Sequence, residues 1–274
     1  MAVNALESTS PRIVFCDVDG TLLTSDHRVL PGTVGAIRAL ERRNIPFVIV
    51  SARSPGGIRP ILKTYGFRCP MICFSGAFAL DAQGAELYSK GFSVEEARRV
   101  IAFLEDNRLD CAWNLYSRET WLVKDKSDPR IQREERLVQA QAVQGSPALL
   151  PLDADVGKIL CICRPESLPA IEERMKAAFP ALSIARSSDI LLEIMPGGVN
   201  KSMAVRTLCA LWRIPLSAAL AFGDHYNDVE MLETVGMPFL MGNAPEELKR
   251  RFPRVTDSND QDGIAHALNA LGLV

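Results

Sequence analysis

The sequence predicts an α/β fold: an open parallel sheet interrupted by an inserted α+β unit. Three observations carry this. The first third of the chain alternates apolar strands with amphipathic helices, the same rhythm resumes after residue 196, and the stretch between does not alternate.

The opening strand is "IVFCDV", residues 13–18. "PGTVGAIRALERRN" follows, with apolar residues at Val34, Ile37, Ala39 and Leu40 and Pro31 near its start, the spacing and start signal of a helix. "IPFVIVS" reads as a second buried strand, "SPGGIRPILKTYGF" as a shorter helix ending at Gly66, and "PMICFSG" as a third strand. A β-α-β-α-β order implies parallel pairing with helices on the sheet faces. "FALDAQGAELYS" then reads as a hairpin, with turn chemistry at Asp81 to Gly84. In the middle, "SVEEARRVIAFLEDN" predicts a helix capped by Ser93, with Glu96 as its capping-box partner. "CAWNLY" and "TWLVKD" are strands, residues 128–141 a polar helix, and "AVQGSPALLPLDADVG" a loop. "KILCIC" is a strand, "PESLPAIEERMKAAF" a helix and "LSIARSSDILLEIM" a strand pair. After "PGGVN" come a helix ("KSMAVRTLCALWR"), a strand ("AALAFG"), a helix ("NDVEMLETVG"), a strand ("MPFLMG") and a closing helix ("QDGIAHALNALGL"). The expected organisation is a discontinuous core, residues 1–86 and 196–274, with an inserted unit at 87–195.

Composition narrows the function classes. The 274 residues carry 31 basic and 33 acidic side chains, a net charge of −2. Such a balance gives no global attraction to nucleic acid or to an anionic membrane, and neither partner is expected. No apolar run approaches the ~20 residues that span a bilayer. Of seven cysteines, Cys16, Cys73, Cys161 and Cys163 sit in apolar strand-like runs, where free cysteine acts as a small hydrophobe. Cys161-x-Cys163 lacks the second pair or histidines of a zinc site. Reduced core cysteines, and an N-terminus "MAVNALESTSP" without signal-peptide character, lead to the expectation of a cytoplasmic protein.

The chemistry gathers where strands end. Asp17 and Asp19 are at i and i+2, on one face if the first strand extends that far, at the carboxyl end where open α/β sheets hold ligands. Two such charges ~4 Å apart repel by roughly 4 kcal/mol at an effective dielectric near 20, a cost that structure alone gives no reason to accept. An exposed Asp-Gly turn at Asp19-Gly20 is the plain alternative. A second acidic cluster, Gly223-Asp224 with Asn227 and Asp228, ends the strand "ALAFG". Asp17, Asp19, Asp224 and Asp228 together offer only oxygen ligands, which suits Mg²⁺. Asn227 or Asp228 would equally cap the helix that follows. Ser51 ends the second strand before a helix, where a hydroxyl and free amides form an anion site, or a simple cap. Lys201 starts a helix against the helix dipole, so local stability does not explain it; a nearby phosphate or carboxylate cluster would, and an ordinary surface lysine is the plain alternative.

With these residues assembled, the sequence resembles the haloacid dehalogenase (HAD) superfamily, and within it the Cof-type phosphatases, which carry a large α/β cap between the second and third motifs. "DVDGTLL" matches the first motif, "PGGVNKSMAV" the lysine-bearing third and "GDHYNDVEML" the fourth; "MGNAPEELK" and "VTDSNDQDGIAHAL" match the C-terminal pattern. Two departures stand out: Ser51-Ala52-Arg53 where the family usually has Thr-Gly-Arg, and Ser75-Gly76-Ala77 where it usually has Asn-Gly-Ala. Ser51 keeps the hydroxyl, while Ala52 keeps the amide but loses glycine's freedom.

The resemblance implies a Rossmann-like parallel-sheet core with an inserted α+β cap, and a Mg²⁺-dependent phosphatase acting on a small phosphorylated metabolite, such as a sugar phosphate or a phosphorylated cofactor, through an aspartyl-phosphate. Asp17 would be the nucleophile and Asp19 the general acid and base. Asp17, the Asp19 carbonyl and Asp224 would hold Mg²⁺, with Asp228 supporting the metal or orienting Lys201. The Val18 amide, Ser51, the Ala52 amide, Lys201 and Asn227 would bind the phosphoryl oxygens. A phosphomutase on the same scaffold and a non-catalytic metabolite-binding homologue are the alternatives; a sensor has no need of an acid-base aspartate. No oligomeric state is implied. Elsewhere, Cys16 is expected to point away from the site and His225 to be a loop residue. Trp113, Tyr116 and Trp121 are expected in the cap core, with a place facing a substrate ring as the alternative for one of them, and Arg186, Asp189 and Glu193 are candidates for reading the substrate.

Overall fold

The structure, a computed structural model, describes residues 10–274. The N-terminal stretch read above as lacking a signal peptide lies, but for its last two residues, outside the described residues. In chain order the elements are β1 (Ile13–Asp17), α1 (Pro31–Arg42), β2 (Phe47–Val50), α2 (Pro55–Tyr65), β3 (Met71–Cys73), β4 (Phe78–Leu80), β5 (Glu86–Ser89) and β6 (Phe92–Ser93). Then come α3 (Val94–Asp106), β7 (Cys111–Ser117), β8 (Thr120–Val123), α4 (Pro129–Val138), β9 (Val143–Gln144), β10 (Asp155–Val156), β11 (Lys158–Cys163) and α5 (Leu168–Ala178). The chain finishes with β12 (Leu182–Arg186), β13 (Leu191–Pro196), α6 (Lys201–Leu211), β14 (Ala219–Gly223), α7 (Val229–Thr234), β15 (Met237–Leu240), α8 (Glu246–Arg251) and α9 (Gly263–Ala270). They fall into two compact units: the chain up to Ser51 together with Lys201–Val274, and Ala52–Asn200. The expected boundaries placed residues 52–86 and 196–200 with the first unit; the contacts group them with the second.

In the first unit β15, β14, β1 and β2 lie side by side, all parallel. β1 is buried along its whole length, as a parallel strand covered on both faces must be. Its neighbours are reached in opposite directions along the sheet, β2 on one side and β14 on the other, so the strand order reverses beside β1. Ligands of open α/β sheets bind at such a point. α1 packs on α9 and α6 on α7. The start of α1 has no side-chain cap from its own N-cap residue, Leu30. Asp262 supplies the missing acceptor from across the unit, taking hydrogen bonds from the Thr33 amide (2.8 Å) and hydroxyl (2.9 Å).

The second unit holds an antiparallel run β3-β4-β5 and a six-stranded sheet in the order β12-β13-β11-β7-β8-β9. Alternation along these strands sorts their side chains. Trp113, Leu115, Ile159, Cys161, Leu192 and Ile194 point into a core shared with α3 and α5. Asn114, Tyr116, Trp121, Lys158, Leu160 and Glu193 are absent from that core and occupy the other face. All three aromatics expected in the core are buried, Trp113 among the side chains packed with α3 and α5, Tyr116 and Trp121 on the opposite face of the sheet. On the opposite face Asn114 is fully buried yet satisfied: its amide donates to the carbonyls of Ala112 and Leu160 (both 3.1 Å), and its Oδ1 accepts from Trp121 Nε1 (3.0 Å).

Two local expectations need correction. The expected loop over 142–157 contains β9, which pairs in parallel with β8, a 3₁₀ turn at Pro147–Leu149, and β10, which pairs with β6. Two-residue strands leave no periodicity to read, because their partners come from distant sequence. Ser93 does cap α3, accepting from the Glu96 amide at 3.1 Å. Glu96, however, turns its carboxylate to Arg99, so only half of the capping box forms. All seven cysteines are free thiols.

Candidate active site

Three strand ends meet in register. Asp17 closes β1 opposite Val50, the last residue of β2, so Ser51 comes next to it. On the other side Cys16 pairs with Phe222, and Asp224 directly follows the end of β14. β1 stops at Asp17, and the chain folds back in a turn. The amides of Leu22 and Leu23 donate to the carbonyls of Asp17 (3.2 Å) and Val18 (2.9 Å), and Gly20 adopts φ +84°. The strand thus ends before Asp19. The two aspartates do not form a pair on one strand face: Asp19 lies in the turn with its residue exposed, outside the buried acidic cluster. The carboxylates gathered with Asp17 are Asp224 and Asp228, with one oxygen from each of the three within 4.8 Å of the others.

A buried ammonium binds this cluster together. Lys201, the first residue of α6, is 2% exposed; its Nζ donates to Asp17 Oδ1 at 2.5 Å and to Asp228 Oδ1 at 2.6 Å. This explains a lysine at a helix start: two carboxylates outweigh the helix dipole. Burial pulls the Lys201 pKa down, but the charges of Asp17 and Asp228 prevail and the net shift is upward. Asp228 is fully engaged, since its Oδ2 also accepts from the amides of Asp224 (3.1 Å) and His225 (3.2 Å). Of its two expected roles, these contacts match the orientation of Lys201.

Asp224 is held differently. Its Oδ1 accepts from the Thr21 hydroxyl at 2.8 Å, and its Oδ2 from Asn243 Nδ2 at 3.4 Å. Asn243 Nδ2 also donates to the Gly20 carbonyl at 2.8 Å, tying the loop after β15 to the turn after β1. Gly20 is required twice over. Its φ favours glycine, and a Cβ there would lie 2.4 Å from Asp224 Oδ2. Thr21 and Asn243 received no role from the sequence, although both stand inside quoted motifs; the contacts of Thr21 with Asp224 and of Asn243 with Gly20 span 203 and 223 residues of chain.

The charges of the cluster do not balance. Three buried carboxylates face one ammonium, an excess of two negative charges in a desolvated site. Burial, then Asp228, raise the Asp17 pKa to about 8 against the opposing pull of Lys201. Burial also raises Asp224, to about 6. An all-oxygen donor set with an excess of two negative charges fits a divalent hard cation.

The remaining expected residues are placed as follows. Val18 is fully buried in the turn and Ser51 is 1% exposed beside Asp17. Asn227 is exposed on the 3₁₀ turn Tyr226–Asp228, and Ala52 opens the second unit. His225 is an exposed loop residue, edge-on to Tyr226. Cys16 turns its thiol to the Asp17 carbonyl (3.0 Å) and has no part in the cluster.

The sequence profile of the haloacid dehalogenase-like hydrolases matches residues 14–268. A Haemophilus influenzae protein named "Putative phosphatase" is 34% identical over 258 residues, covering 93% of this chain and 95% of its own. The HMP-PP phosphatase of Serratia proteamaculans is 28% identical over 265 residues, 94% of each chain. A haloacid dehalogenase-like hydrolase from Bacteroides thetaiotaomicron superposes with a TM-score of 0.86 at 22% identity, covering 96% of this chain and all of its own. No helix among the described residues is long and apolar enough to cross a membrane.

Proposed function

Because the chain belongs to the haloacid dehalogenase-like hydrolases, a family placement that makes it a phosphate ester hydrolase, we propose that it is a Mg²⁺-dependent phosphatase of small phosphorylated metabolites, working through an aspartyl-phosphate. The observation that carries this reading is Asp17 at a strand end, gripped by a buried lysine, amid carboxylates with a charge excess of two. In this reading Asp17, the Asp19 carbonyl and Asp224 hold the cation. Bound Mg²⁺ would supply electrostatic neutralisation between the anionic nucleophile and the anionic phosphate.

The steps belong to the protein's own groups. Lys201 holds Asp17 Oδ1, which leaves Oδ2 to attack phosphorus; the bond from phosphorus to the leaving oxygen breaks as Asp19 gives that oxygen a proton. Asp19, now ionised, takes a proton from water. That water displaces the Asp17 carboxylate from phosphorus and releases phosphate. The turn placement of Asp19 suits this shuttle, because an exposed carboxyl exchanges its proton with solvent. The Val18 and Ala52 amides, Ser51, Lys201 and Asn227 bind the phosphoryl oxygens. The inserted unit, 87–195, serves as the cap that reads the leaving group. The relative named HMP-PP phosphatase supports a small phosphorylated substrate.

The test is hydrolysis of p-nitrophenyl phosphate by wild type and Asp17→Asn, each with Mg²⁺ and with EDTA. The expected result is Mg²⁺-dependent turnover in the wild type and a loss of at least about a thousandfold in the variant, as removal of a catalytic nucleophile produces. Equal activity in both proteins would overturn the assignment of Asp17.

A further inference from the structure

Three of the free thiols gather within the second unit, on the face of its six-stranded sheet that meets α3 and α5. Cys111 opens β7, while Cys161 and Cys163 lie at the end of β11. Cys163 stands directly opposite Cys111 in the β7–β11 ladder, and Cys161 opposite Trp113. The Cys163 amide donates to the Ile190 carbonyl at 2.7 Å, on the side of β13. The N–H and C=O of a strand residue point to the same neighbour, so Cys163 faces Cys111 as a pair without ladder hydrogen bonds. Cα atoms in such a pair are about 4.5 Å apart, with the side chains close together. A disulfide bridges Cα separations of about 4.4 to 6.8 Å.

The other two pairings fit this geometry poorly. Cys161 is diagonal to Cys111, a separation of roughly 7–8 Å, and a disulfide does not form beyond about 7 Å unless the backbone moves. Cys161 and Cys163 follow one another on the same strand face, about 6.6 Å apart with their Cβ bonds side by side, whereas a disulfide needs Cβ atoms within about 4.5 Å.

Cys111 is the more accessible partner: it is half-buried, whereas Cys163 is 3% exposed. Its thiol is within hydrogen-bonding reach of both others. Contact with Cys161 is the first cause that lifts Cys111 above the ordinary thiol range, and contact with Cys111 the first that lifts Cys163, while Arg130 pulls both down. We propose that Cys111 and Cys163 form a modification site, a dithiol that closes to a cross-strand disulfide in the presence of a small disulfide oxidant such as oxidised glutathione. Cys111 gives its proton to solvent and its sulfur attacks one sulfur of the oxidant; the S–S bond there breaks and one glutathione leaves, taking up a proton. Cys163 loses its proton and attacks the Cys111 sulfur, which breaks the mixed disulfide and releases the second glutathione. Two protein thiols are oxidised and one external disulfide is reduced to two thiols. The product ties together the two central strands of the sheet order β12-β13-β11-β7-β8-β9.

The test incubates the full chain with excess oxidised glutathione, blocks the remaining thiols by alkylation and reads intact mass and fragmented peptides. The expected result is the loss of two of the seven thiols, a mass lower by two hydrogens, and a peptide link between Cys111 and Cys163 that dithiothreitol reverses. Cys161→Ser should close the same link. Cys163→Ser should stop with one glutathione held on Cys111. The link also confines the chain between the two cysteines in the unfolded state, so the oxidised protein should unfold at a higher urea concentration than the reduced one. Three results would overturn the proposal: no thiol lost, either in the native chain or after refolding in the same buffer; a link that uses Cys161; or a urea midpoint that oxidation leaves unchanged or lowers. The wild-type peptide map decides the pairing even if a variant fails to fold.

Discussion

At the scale of single residues, Asp17 and Asp224 are each asked to be two things. In the isolated protein their burial among like charges favours protons, which raises Asp17 to about 8 and Asp224 to about 6. A divalent cation requires the same groups ionised, so proton and metal compete. The sign follows: lowering the pH gives each carboxyl a proton that the metal must displace. Apparent Mg²⁺ affinity should weaken as pH falls below about 8 and more steeply below about 6, by about tenfold per pH unit for each proton displaced. Calorimetric titrations between these limits would show it, and a flat affinity would refute competition at these two groups. Gly20 gives a second residue-scale prediction. Gly20→Ala places a methyl 2.4 Å from Asp224 Oδ2 in a left-handed conformation. The fold should lose about 1–3 kcal/mol in urea unfolding, and Mg²⁺ binding should weaken with it because Asp224 must move.

At the scale of elements, helix starts are where the molecule departs from local rules. α1 begins without a cap of its own and borrows Asp262. Asp262→Ala should therefore cost about 1 kcal/mol, the usual worth of a cap, measurable by denaturant unfolding although the residue lies far from α1 in sequence. A null effect would mean that solvent replaces it. α6 begins with Lys201 against its dipole, for the reason the acidic cluster supplies. Strands and helices with full periodicity were legible in the sequence: β1, β2, α3, β11 and β14 stand where apolar spacing and caps put them. β9 and β10 were not, since two residues carry no period and their pairing is a tertiary event. The faces of β7 and β8 were legible only as alternation. Which set met α3 and α5 was a matter of tertiary packing, so the burial of Trp113, Tyr116 and Trp121 was legible but not that Trp113 faces those helices while Tyr116 and Trp121 face away.

At the scale of the whole molecule, the α/β class and the insertion were readable because parallel strands announce themselves as continuous apolar runs, and an interruption in rhythm marks foreign chain. The acidic cluster was readable as two motifs, but not its internal wiring. Asp17 and Asp19 looked like the repelling pair, whereas the buried contest is between Asp17, Asp224 and Asp228. Thr21 and Asn243 emerged only when chain ends far apart were brought together. Metal binding should register globally. Mg²⁺ at about a hundred times its Kd should add about 2.7 kcal/mol to the folded state and raise Tm by several degrees. Asp224→Ala should abolish that thermal shift. A shift that survives the substitution would place the cation elsewhere.

The path of the chain leaves the first unit at Ser51 and re-enters it at Lys201, and Asp17, Lys201, Asp224 and Asp228 all lie outside the excursion. The departure point and the return point each carry a residue assigned to the phosphate. On the proposed reading, reaction and recognition are therefore written in separable stretches of the gene. A recombination joining a different segment between these two points would leave the ammonium and its carboxylates intact while replacing the whole of Ala52–Asn200. New substrates could then be acquired by exchange of one cassette, without reinvention of the chemistry.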